Sequence, residues 1–182
     1  MLIVVSGTHA SGKSTLISDF AHRHPEATVG GDIFDLVDED DDRPSAGMFA
    51  TQLRAAADRI LSAPADRLSI LERGPLDFLA YLLALEQLSE DSIDPALWER
   101  ARHITARAME RIVLLVVLPL SDRDSIHVAD EEDTALRSAM NLALLDLIDE
   151  RDLIGSGTVL ELSGTPEARA AALEDAVIRF TR

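Results

Sequence analysis

The chain has 182 residues, 47% of them hydrophobic, a formal net charge of −16 and no cysteine. That length and composition suit one globular domain with a full core, and the acidity argues against nucleic acid or an anionic membrane as partner, because both attract a basic face. Without thiols there are no disulfides, no thiolate metal site and no cysteine nucleophile, which suits a reducing cytoplasm.

Leu2 to Val5 is apolar and largely β-branched, the pattern of a buried strand. Met1 enters it directly, so no signal peptide is expected. The strand runs into Gly7-Thr8-His9-Ala10-Ser11-Gly12-Lys13-Ser14, which fits G-x-x-x-x-G-K-[ST]. Lys13 to Phe20 then reads as helix, so the motif has the strand–loop–helix context it needs. Glycine permits positive φ and close approach of main-chain N–H groups to an anion. The N-terminus of the following helix adds free donors and a positive dipole end. Gly7, Ala10, Ser11, Gly12, Lys13, Ser14 and Thr15 are therefore expected to bind a nucleoside triphosphate, with ATP and Mg²⁺ as cofactors. Lys13 would reach the β- and γ-phosphates, Ser14 would ligate the metal, and Thr15 would pack behind them. His9 is expected to contribute mainly its backbone.

His24-Pro25 stops this helix. A second strand, Ala27 to Gly30, ends at Gly31-Asp32, and five acids follow from Asp38 to Asp42, read as a solvated loop. Apolar residues from Met48 to Leu61 recur at helical spacing, with Gln52 on the same helix able to hydrogen-bond a base or sugar. Leu68 to Leu71 is a third strand, leading to Glu72-Arg73. Leu76 to Leu88 is almost wholly apolar and reads as a buried helix. Pro95 opens another helix, running to about Glu110. Ile112 to Leu118 is a fourth strand, too short to span a bilayer. Pro119 to Asp133 reads as an irregular lid loop. A helix over Leu136 to Ile148, a fifth strand over Thr158 to Leu162 and a last helix from Pro166 complete the chain. Alternating strands and helices predict an α/β fold: a five-stranded parallel sheet with helices on both faces, one domain over residues 1–182 with a small lid at about 119–133.

Ligands of such sheets sit at the carboxyl ends of the strands. Strands one, two and three end in the P-loop, at Asp32 and at Glu72-Arg73. An acid closing a strand beside a P-loop suits Mg²⁺, and Glu72 follows its strand without a break. Arg73 could stabilise charge on a transferred phosphoryl group or hold an acceptor. Asp32 could accept the proton of an attacking hydroxyl, or cap a helix.

The P-loop together with Glu72-Arg73-Gly74-Pro75-Leu76-Asp77-Phe78-Leu79-Ala80-Tyr81 resembles a branch of the small-molecule P-loop kinases. It looks like the ribosylnicotinamide-kinase-like AAA-type ATPases and, more distantly, the deoxynucleoside kinases with their Glu-Arg-Ser motif. The resemblance implies a magnesium role for Glu72, an acceptor or phosphate role for Arg73, a structural or acceptor-binding role for Asp77 and a base at Asp32. The sequence departs from the deoxynucleoside kinases in its lid, where Arg123 stands among six acids and Arg137 follows on the next helix. An acceptor without a phosphate suits that balance.

The expected function is transfer of the γ-phosphate of Mg-ATP to a hydroxyl of a small molecule, nucleoside- or ribosyl-like. Lys13, Asp32 and Arg73 would be catalytic, and Asp32, Gln52, Arg73, Asp77 and Arg123 would contact the acceptor. The alternative is a P-loop NTPase that hydrolyses ATP as a switch or sensor. No Asn-Lys-x-Asp guanine reader is present.

Overall fold

In the computed structural model, which describes residues 1–33, 44–88, 92–120 and 133–181, the strand Leu2–Ser6 (β1) lies at the centre of a sheet. Ser69–Glu72 (β3) and Leu114–Val117 (β4) flank it. Thr28–Gly30 (β2) pairs with the outer side of β3, and Thr158–Glu161 (β5) with the outer side of β4. All four pairings are parallel and the order is β2-β3-β1-β4-β5. The chain leaves β1 for β2 and β3 on one side, then crosses back to β4 on the other. This reversal beside β1 opens a crevice at the carboxyl ends of β1, β3 and β4.

The helices follow from the burial pattern. Successive strand residues point to opposite faces. Leu2, Val4, Leu71, Leu115 and Val117 join a core with Ala46–Ser62 (α2), Pro75–Leu88 (α3), Pro95–Met109 (α4) and Thr134–Ile148 (α5). Ile3, Val5, Ile70, Leu114 and Val116 face the other way, onto Lys13–Arg23 (α1) and Pro166–Thr181 (α7). The central strands are buried on both faces, which is why they read as unbroken apolar runs. The expected five-stranded parallel α/β sheet with helices on both faces is the fold observed.

Boundaries shift where caps decide them. Ser45 accepts from Met48 N and starts α2 two residues before its first large apolar side chain. Asp133 accepts from Ala135 N and Leu136 N and does the same for α5. One further short helix, Arg151–Ile154 (α6), lies between α5 and β5. No described helix is long and apolar enough to cross a membrane. The acidic run Asp38–Asp42 and most of the expected lid, Arg123 included, lie outside the described residues.

Candidate functional site

The loop after β1 is shaped by its glycines. Gly7 has φ 148°, and a Cβ there would stand 2.8 Å from both the Leu118 carbonyl and Ser11 Oγ. Gly12, at φ 91°, begins α1 with no side-chain cap, so the donors of the first turn face the loop. Ala10 holds φ 51° between them. The loop's carbonyls are gripped from outside. Arg73 Nη1 donates to Gly7 O at 3.1 Å and Lys13 Nζ to Thr8 O at 2.9 Å. Arg137 Nε on α5 donates to His9 O at 3.0 Å, and its Nη2 to Ala10 O at 3.3 Å. Arg169 Nη1 on α7 donates to Ser11 O at 2.9 Å.

The pairing of β1 with β3 sets Val5 opposite Glu72, so the acid ending β3 arrives beside the loop. Ser14 Oγ donates to Glu72 Oε1 at 3.2 Å, and Lys13 Nζ lies 3.8 Å from the same oxygen. Burial pushes the Lys13 ammonium down to about 8, and the Arg73 charge adds to this against the opposing pull of Asp77, Glu72 and Asp32. A hydroxyl and a carboxylate at hydrogen-bond distance are the hard oxygen donors that suit Mg²⁺. That ion commonly takes only one or two protein ligands beside substrate phosphates. The residues fit the metal, and among the described residues no larger His/Asp/Glu cluster competes for it.

On the β2 side, Arg73 Nε donates to Asp32 Oδ2 at 2.9 Å. Arg73 is fully buried, holds φ 58° and lies 5.8 Å over the Tyr81 ring. Asp77, also fully buried, accepts from Ser6 Oγ at 2.6 Å, Gly7 N at 2.8 Å and Gly74 N at 2.9 Å. It ties the end of β1 to the first turn of α3. Arg59 on α2 donates to the carbonyls of Gly31, Glu72 and Arg73, the last at 2.8 Å.

A cavity of about 410 Å³ opens beside the loop. Its wall includes Thr8 and His9, Asp32, the stacked rings of Phe49 and Tyr81 (centroids 4.7 Å apart), and Arg137. The expected acceptor group therefore divides. Asp32 lines the cavity, whereas Gln52, Arg73 and Asp77 are buried behind its wall. Arg59, Arg137 and Arg169 carry no sequence signal for these contacts. Their partners are 13 to 158 residues away, and no local spacing announces them.

The parallel sheet, the loop after β1 and the acid ending β3 define a P-loop α/β protein of the nucleotide-kinase fold. A family model described as an AAA domain matches residues 2–169, and the chain belongs to that family. No curated protein matches the sequence. The fold is similar to thymidylate kinase from Candida albicans, at TM-score 0.68 and 15% identity, over 99% of this chain and 92% of that one. It is similar to deoxyadenosine kinase from M. mycoides, at 0.67 and 11%, over 99% and 100%. It is also similar to the NadR protein in complex with NR, at 0.67 and 20%, over 99% of this chain and 51% of that chain. This chain thus spans about half of the NadR chain, and two of the three neighbours are named as kinases.

Proposed function

We propose that residues 1–182 act as one magnesium-dependent P-loop kinase domain, which moves the γ-phosphate of ATP to a hydroxyl of a small nucleoside- or ribosyl-like molecule. The observation that supports this most is the convergence of Lys13, Ser14 and Glu72 on one side of the crevice with Asp32 and a ring-lined cavity on the other. A cavity of this size falls within the usual range for a small-molecule site. Two of the fold neighbours are a thymidylate kinase and a deoxyadenosine kinase and the third is a protein in complex with NR, which agrees with that acceptor class.

In this reading the amides of residues 10–14 and the Lys13 ammonium bind the phosphates. Ser14 and Glu72 hold the magnesium ion, Glu72 directly or through water. When bound, the ion neutralises charge on the phosphates. The acceptor oxygen forms a bond to the γ-phosphorus, the bond to the β–γ bridging oxygen breaks, and ADP leaves. Asp32 orients the acceptor hydroxyl and takes its proton. Arg73, bonded to Asp32 and to Gly7 O, is a positioning residue: its two partners lie on the acceptor and phosphate sides.

The test is turnover of purified protein with Mg-ATP and a panel of nucleosides, ribosylated bases and sugars, following ADP and phosphorylated product together. Product from one acceptor class, in step with ADP, is the expected result. ADP and inorganic phosphate formed at one rate whatever is added would instead make the protein an ATP-hydrolysing switch.

A further inference from the structure

Past the pairing of Gly30 with Leu71, the carbonyls of Gly31, Glu72 and Arg73 converge on one place, and β2 is an edge strand of three residues paired with β3. Arg59 fills this place. One guanidinium nitrogen reaches Gly31 O, next to Asp32, and another reaches Glu72 O and Arg73 O. The arginine fork holds its donors on separate nitrogens in a fixed plane and so sets the spacing of the carbonyls it reaches, whereas the three donors of a lysine radiate from one rotatable nitrogen. Its Nε is buried with no hydrogen-bond partner among the described residues, so its hold on the site runs through these carbonyls. Burial lowers the pKa of Arg59, against the pull of Asp32, Asp77 and Glu72.

We infer that Arg59 is a positioning residue that fixes the Asp32 carboxylate and the Glu72–Arg73 turn at one spacing, coupling the acceptor side of the site to the metal side. The inference rests on the kinase reading for its consequence in turnover, and on geometry alone for its effect on the turn. The Arg73 backbone is in the left-handed region, which a non-glycine residue keeps only where its surroundings hold it. Its N–H donates to Val5 O and its carbonyl accepts from Arg59, so the turn is tied at both ends.

The test compares Arg59→Gln and Arg59→Lys with Leu53→Ala, a fully buried core substitution on the same helix, in otherwise intact protein. In the ligand-free proteins, hydrogen exchange of the Arg73 and Gly74 amides should quicken at least about tenfold in Arg59→Gln, less in Arg59→Lys, and not selectively in Leu53→Ala. With a non-hydrolysable ATP analogue, Arg59→Gln should lose about 10–100-fold of the affinity gained on adding Mg²⁺, with metal-free affinity little changed. Exchange at the turn that matches wild type, or that rises equally in Leu53→Ala, overturns the inference. So does Arg59→Gln failing to fold while Arg59→Lys keeps wild-type exchange at the turn. A wild-type protein that gains no affinity from Mg²⁺ overturns the kinase reading instead, and the exchange measurement still decides the role of Arg59.

Discussion

Ser14 Oγ donates to Glu72 Oε1 at 3.2 Å, joining the first turn of α1 to the last residue of β3. Two residues 58 positions apart in the chain thus present a hydroxyl and a carboxylate to one point. Glu72→Gln keeps the shape and removes the charge. It should weaken the magnesium dependence of turnover by about 10–100-fold and leave metal-free binding of an ATP analogue nearly unchanged. A magnesium titration of both proteins checks this, and superimposable curves would remove Glu72 from the metal site.

Lys13 has a second testable property. It is charged below its pKa of about 8 and loses that charge as pH rises. Phosphate binding favours the charged form, so above about pH 8 binding must take up a proton. Metal-free affinity for the ATP analogue should then fall by up to about tenfold per pH unit. Calorimetric titration from neutral to alkaline pH reads the slope. Lys13→Ala should abolish both turnover and this pH dependence while the protein stays folded.

Asp32→Asn should lower kcat by about 10²–10⁴-fold, with the KM for ATP little changed. It also leaves the buried Arg73 charge without its carboxylate, so thermal unfolding should come earlier, by about 1–3 kcal/mol of stability. Full kcat in this variant would assign Asp32 to holding Arg73 alone.

A last prediction lies away from the site. His24, at the end of α1, contacts Glu174 on α7 at 2.9 Å and Glu26 at 3.2 Å, and Arg23 stands 3.9 Å from Glu174. Partial burial works against its charge, but hydrogen bonds to Glu174 and then Glu26 outweigh this, so its pKa is raised. A raised histidine stabilises fully below its unfolded pKa of about 6.5, and the effect fades as pH rises through the folded value. The difference in Tm between wild type and His24→Gln should therefore be larger near about pH 6 than near about pH 8.5. An equal difference at both would deny His24 a charged role.

The parts of this protein that can be read from sequence are those whose physics is local. The P-loop needs glycines at fixed offsets, and Gly7 and Gly12 stand where the backbone demands them. Strand β3 and its closing acid are contiguous, so Glu72 could be singled out. What the linear pattern hides is the lateral order of strands, which brings β3 rather than β2 beside β1. It hides arginines as well. Arg59, Arg137 and Arg169 sit on amphipathic helices as ordinary surface cations would, and only the packing turns them inward. Arg73 was legible by position, but its burial against Asp32 and Tyr81 depends on a turn that only the folded chain defines.

The grip on the loop carbonyls changes what the loop offers to an anion. In a trans peptide the C=O and N–H of one unit point opposite ways. Arginines that hold Gly7, His9, Ala10 and Ser11 oxygens therefore turn the amides of Thr8, Ala10, Ser11 and Gly12 away from themselves. Each guanidinium also draws electron density through its peptide unit, leaving the far hydrogen more positive than an ordinary amide. A chain with a net charge of −16 would repel a polyphosphate at long range. Amides turned and polarised in this way give the loop a local attraction for an anion that works against that field.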